Sequence, residues 1–117
     1  LTPDDTVARY RYARVLEARG DTVRAQQELE RVIAARPAAP AIVLASAFTD
    51  CARLLEHGGE TARALALYRY AIAVVGGDPR AHSDAVRGVK RLAGGSGVTR
   101  FLTFDARLCL TLENSRP

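Results

Sequence analysis

One unit occurs twice in this chain, and that duplication limits what the chain can fold into. Residues 6–37 read TVARYRYARVLEARGDTVRAQQELERVIAARP, two helical patterns that meet at Gly20-Asp21 and are closed by Pro37. A second copy is built around Gly59-Glu60, 39 residues later. Two antiparallel helices joined by so short a turn form a hairpin, and each hairpin leaves an apolar face for a neighbour. Duplicated hairpins therefore point to a stack.

The chain in order supports that reading. Thr2, Pro3 and Asp5 form a helix start, with Thr2 as the N-cap and Pro3 at the first helical position. In the first helix Ala8, Tyr12, Val15 and Leu16 mark an apolar face, and Arg9, Arg11 and Arg19 the opposite one. Gly20 ends it, since glycine adopts the left-handed cap conformation cheaply. Asp21 or Thr22 caps the second helix, whose inward set is Val23, Ala25, Leu29, Val32 and Ile33. Gln26, Gln27, Glu28, Glu30 and Arg31 are expected to face water. The third helix spans about 40–57, with Val43, Leu44, Ala47, Phe48, Cys51, Ala52, Leu54 and Leu55 inward. The fourth spans about 60–75, with Ala64, Leu65, Leu67, Tyr68, Ala71, Ile72 and Val75 inward.

A fifth helix, about 80–93, carries one apolar stripe (Ala85, Val86, Val89, Leu92, Ala93) and a basic side (Arg87, Lys90, Arg91). It reads as the cap that a stack needs at its open end. Residues 94–97 are a Gly-rich linker. Beyond them Leu102, Phe104, Ala106, Leu108, Leu110 and Leu112 alternate with polar residues, a strand signal. A weaker helical stripe (Val98, Phe101, Leu102, Leu108, Leu112) competes with it. The organisation is thus a helical domain over 1–93, a linker, and a tail over 98–117.

Residues 6–75 resemble two tetratricopeptide repeats (TPR). The first unit shows the small residue Ala13 between Tyr12 and Leu16, the turn Gly20-Asp21, then Ala25, Leu29, Val32-Ile33 and Pro37. The second shows Phe48, Cys51-Ala52, Leu55, Gly59-Glu60, Ala64, Tyr68 and Ala71-Ile72. The offset of 39 exceeds the family's 34, and Gly76 stands where a proline is expected. The resemblance implies an all-α, TPR-like stack of about five helices with a C-terminal extended or β-strand tail. It places Ala13, Ala25, Ala52 and Ala64 where paired helices approach most closely, and it makes the first helices of each unit line a concave groove.

Mapping that groove gives Val7, Tyr10, Arg14 and Glu17 from the first unit. It gives Ser46, Thr49, Arg53, Glu56 and His57 from the second, and one alignment of the fifth helix adds Lys90. Two readings stand side by side. Arg14, Arg53 and Lys90 could form a basic ladder that grips an acidic or C-terminal peptide. Alternatively Arg14 pairs with Glu17, and Arg53 with Glu56, at i,i+3 on one helix. The Lys-Asn clamp of chaperone-binding members of the family is absent.

The 117 residues amount to one domain, and a hydrophobic fraction of 48% suffices for a core. Of 17 basic residues sixteen are arginine, and the net charge is +4. This reflects either an anion-binding surface or the Ala- and Arg-rich bias of a GC-rich, bacterial genome; the arginines are scattered among acids. Cys51 and Cys109 offer no metal spacing, and Cys109 is the better candidate for reactivity. His57 reads as a helix-end cap. There is no phosphate loop, nucleophile elbow, paired-carboxylate spacing or cofactor motif, so an enzyme is not expected. No run of 18 apolar residues occurs, which argues against a membrane span. The chain begins at Leu1 and reads as a fragment of something longer, assigned to the cytoplasm.

These observations lead to a non-enzymatic scaffold or adaptor that binds a protein or peptide through the groove. The second reading is a homo-oligomerisation module in which the tail is exchanged between chains through Phe101, Phe104, Leu108 and Leu110. A third, weaker one is a nucleic-acid-binding repeat using Arg9, Arg11, Arg36, Arg87 and Arg91.

Overall fold

A computed structural model describes residues 5–36 and 38–94, which form five helices. They are α1 (Thr6–Ala18), α2 (Thr22–Ala34), α3 (Ala41–His57), α4 (Thr61–Ala73) and α5 (Pro79–Ala93). The all-α hairpin stack expected from the duplication is the architecture found. The expected tail strand, with Phe101, Phe104, Leu108, Leu110 and Cys109, lies outside the described residues, as do Thr2, Pro3 and Pro37. No described helix is long and apolar enough to cross a membrane.

The two hairpin turns are built alike. At each, glycine takes a left-handed conformation, with φ of 84° at both Gly20 and Gly59. Gly20 N–H donates to the Glu17 carbonyl (2.9 Å) and Asp21 N–H to the Leu16 carbonyl (2.9 Å). Gly59 N–H donates to Glu56 (3.0 Å) and Glu60 N–H to Leu55 (2.9 Å). Paired bonds of this kind satisfy carbonyls that the helix end leaves open, and a side chain at the glycine would oppose the required φ.

Three of the five helix starts carry an aspartate cap, whereas α3 and α4 begin without a side-chain cap bond. The Asp5 carboxylate accepts from Ala8 N–H at 2.9 Å, so Asp5 and not Thr2 caps α1. Asp21 caps α2 through Arg24 N–H, and Asp78 caps α5 through Ala81 N–H, with Pro79 opening the helix. Proline loses nothing there, because its missing N–H would have had no helical partner.

Helix α1 packs on α2, α3 on α4 and α4 on α5, while α2 meets α3 and α3 meets α5. The four alanines expected at the close approaches, Ala13, Ala25, Ala52 and Ala64, are all buried. Around them pack Leu29, Val32, Ile33, Phe48, Cys51, Leu55, Leu67, Tyr68 and Ala71. Phe48 stacks on Tyr70, with ring centroids 5.3 Å apart. On α5 the buried residues are Ala81, Ala85 and Gly88. A Cβ at Gly88 would lie 2.6 Å from the Tyr68 ring, so this glycine lets α5 approach α4.

Several expected faces are corrected. On α1 the buried residues are Thr6, Ala13 and Leu16, whereas Tyr12 and Val15 are exposed. Val23 is 68% exposed in the first turn of α2, and Val75 is 92% exposed just beyond α4, which ends at Ala73. Glu30, expected in water, is buried and accepts from Gln26 Nε2 at 3.2 Å. Arg9 is also largely covered and pairs with Glu28 of α2 at 2.7 Å. Val75 is exposed because α4 stops before it. In the other cases the rotation of a helix is set by the helix beside it, and periodicity alone does not name that neighbour.

Candidate functional site

The face shared by α1, α3 and α5 collects most of the residues singled out for partner binding. At its centre Tyr10 O–H donates to Asp50 at 2.7 Å, joining α1 to α3. Arg14, one turn along α1, donates to the Tyr10 oxygen at 3.1 Å and lies 6.0 Å from its ring centroid. Arg53 reaches from α3 to both oxygens of Glu17, the second at 3.1 Å, and also donates to Asp50 at 3.1 Å. Next along the stack, Arg91 of α5 donates to both oxygens of Glu56, at 2.6 and 2.8 Å. Tyr68 O–H donates to the same carboxylate at 2.9 Å.

Neither of the two expected arrangements describes this network. Arg53 does not pair with Glu56 on its own helix, nor is it a free rung of a ladder. It bridges back to the preceding hairpin, and Arg91 does the same one hairpin later. The third member of the row is therefore Arg91 and not Lys90, which is exposed beside it. Thr49 is also displaced from the groove. It is buried, and its hydroxyl donates to the Ala81 carbonyl at 3.2 Å, tying α3 to the start of α5. Val7 and Ser46 are half-buried, and His57 is exposed at the end of α3.

These pairings set the charge states. The hydrogen bond from Arg53 holds the Glu17 carboxyl below its usual range, and the one from Arg91 does so for Glu56. Both guanidiniums are raised in turn by those carboxylates. Burial, reinforced by the bond to Glu56, pushes the Tyr68 phenol up to about 12. Burial and then the Asp50 charge raise Tyr10.

A cavity of about 500 Å³ opens on this face, lined by Arg14, Glu17, Ala18, Asp50, Arg53, Arg80 and Asp84. Helix α3 supplies its floor, and α1 and α5 its two sides. The acids of the lining are ion-paired: Glu17 and Asp50 with Arg53, and Asp84 with Arg87 on its own helix. Two of the lining arginines form no such pair, although the charges of Asp50 and Glu17 still act on Arg14. Arg14 offers its one described hydrogen bond to a neutral phenol, and Arg80 forms no ion pair among the described residues. Arg80 was not singled out by the sequence; only the placement of α5 across α3 brings it here.

A second cavity of about 460 Å³ lies across the Glu17–Arg53 pair, which lines both. Its other walls are Thr22, Val23, Gln26, Leu54, His57 and Gly58. Of the arginines considered for nucleic acid, Arg9, Arg87 and Arg91 are in ion pairs with Glu28, Asp84 and Glu56. Arg36 donates to the Ile33 carbonyl at 3.0 Å. Cys51 is buried within α3. No family model, curated protein or solved structure matches this chain.

Proposed function

We propose that this chain is a helical-repeat interaction module, TPR-like in arrangement, that binds an acidic segment of a protein partner across α1, α3 and α5. The observation that carries this reading is the cavity of about 500 Å³ with Arg14 and Arg80 on its sides, beside acids that are already ion-paired. A guanidinium that lacks a carboxylate gains most from an incoming one, because both its charge and its planar donor set are then matched. Arg53 offsets one of the two charges of Glu17 and Asp50, and Arg14 lies close enough to offset part of the other, so an acidic ligand depends on Arg14 and Arg80 together. A segment lying over α3 would meet Arg14 from one side and Arg80 from the other.

The role is one of recognition, and the chemistry required is charge-assisted hydrogen bonding. The test is selection of peptides from a random displayed library on the immobilised chain. Selected peptides should be enriched in Asp and Glu and should bind the Arg14→Glu/Arg80→Glu double variant at least about tenfold more weakly. Helicity should be unchanged. Peptides with no acidic enrichment, or equal binding to both proteins, would contradict the reading.

A further inference from the structure

Three rows of equivalent residues run through the stack, and each is complete in α3 and α5 but open in α1. The 39-residue offset that relates Gly20 to Gly59 and Ala13 to Ala52 also relates Arg14 to Arg53, Tyr12 to Cys51 and Val15 to Leu54. Matching Arg53 to Arg91 places Cys51 on Val89 and Leu54 on Leu92. In α3 and α5 these positions are covered. Cys51 is fully buried, and Leu54, Val89 and Leu92 pack against the core. In α1 their counterparts Tyr12 and Val15 are 36% and 47% exposed.

The charged row shows the same break. Arg53 takes the carboxylate of Glu17, 36 residues earlier, and Arg91 that of Glu56, 35 residues earlier. Each acid sits in the last turn of the first helix of the hairpin before. Arg14 has no such hairpin before it among the described residues, and it lies back on the Tyr10 hydroxyl.

We infer that the outer face of α1 is a docking surface for a further helical hairpin, one that carries a carboxylate in the last turn of its first helix. Its second helix would cover Tyr12 and Val15, as α2 meets α3 and α4 meets α5. Its carboxylate would take Arg14, as Glu17 takes Arg53. A second copy of this chain fits poorly, because Glu17 and Glu56 are already held by their own arginines. The inference shares Arg14 with the groove reading, and the two would compete for that guanidinium. Its test uses no groove ligand, and Val15 does not line the groove, so the two fail separately.

The probe is the chain's own first hairpin. A second copy of residues 2–40, fused ahead of Thr2, recreates the 39-residue offset and sets the added Glu17 opposite Arg14. The extended chain should melt in one transition, with a Tm about 5 °C or more above that of the original chain. Arg14→Gln and, separately, Val15→Asp should each remove much of that gain, and each should lower the Tm of the extended chain more than that of the unextended one. A two-step melt with the original Tm unchanged would overturn the inference. So would an Arg14→Gln effect of equal size in both chains. Two other results would give the face to a different occupant and equally overturn it. One is self-association of the unextended chain abolished by Val15→Asp. The other is a Tm loss on removing residues 95–117 that Val15→Asp reproduces and does not add to.

Discussion

Glu17 and Arg53 face each other across the junction of two hairpins, bonded through both carboxylate oxygens. Glu56 and Arg91 repeat the relationship at the next junction. Each pair fastens the first helix of one hairpin to the helix that follows in the same layer. The hydrophobic core stacks the hairpins; these pairs fix their register on the open face.

A double-mutant cycle with Glu17→Gln and Arg53→Gln should give a coupling of about 0.5–1 kcal/mol in thermal or urea unfolding. The Glu56–Arg91 cycle should give less, because Arg91 is the more exposed of the two arginines. Additive effects at Glu17 and Arg53 would mean that the pair does not hold the junction.

Gly88 should not tolerate a side chain. A Cβ there lies 2.6 Å from the Tyr68 ring, and that ring is fixed by the hydroxyl bond to Glu56. Overpacking costs roughly 1–3 kcal/mol, against a gain of about 1 kcal/mol in helix propensity from glycine to alanine. Gly88→Ala should thus lower stability by about 1 kcal/mol net. Calorimetry of the variant checks this, and a raised Tm would show that α5 stands off from α4.

How much of this was legible in the sequence depends on what neighbours decide. Gly20 and Gly59 announce their turns because one backbone conformation excludes most other residues. Ala13, Ala25, Ala52 and Ala64 announce close approaches because nothing larger fits. All of these are local demands. The partner of Arg53 is not local: its own helix offers Glu56 at i+3, yet Glu17 of the previous hairpin takes it. The mispredicted exposure of Tyr12 and Val15 has the same origin, since α1 is the end of the described stack and no helix covers that side. Thr49 looked like a groove residue until α5 placed the Ala81 carbonyl above it. Arg80 carries no periodic signal and enters the site only through the packing of α5 on α3.

The pH dependence follows from the same pairs. Glu17 and Glu56 are depressed in the folded chain, first by their arginine hydrogen bonds. Such groups stabilise the fold above their unfolded value, and that contribution disappears as pH falls through the folded one. The Tm should therefore drop below about pH 4, with a shallower slope in Glu17→Gln. At the other end the Tyr68 phenol is raised, by burial first, to about 12. Its contribution is complete below the unfolded value of about 10 and declines as pH rises toward the folded one. Tyr68→Phe should make the alkaline decline shallower, the part from the raised Tyr10 phenol remaining, and an unaltered alkaline profile would contradict the assignment.

The groove reading is tested most directly by mapping amide chemical shifts while a selected acidic peptide is titrated into the labelled chain. Binding across α1, α3 and α5 predicts the largest shifts at Arg14, Ala18, Asp50, Arg80 and Asp84, with the outer faces of α2 and α4 unmoved. Shifts concentrated on α2 and α4, with those five residues unmoved, would place recognition elsewhere and contradict the account.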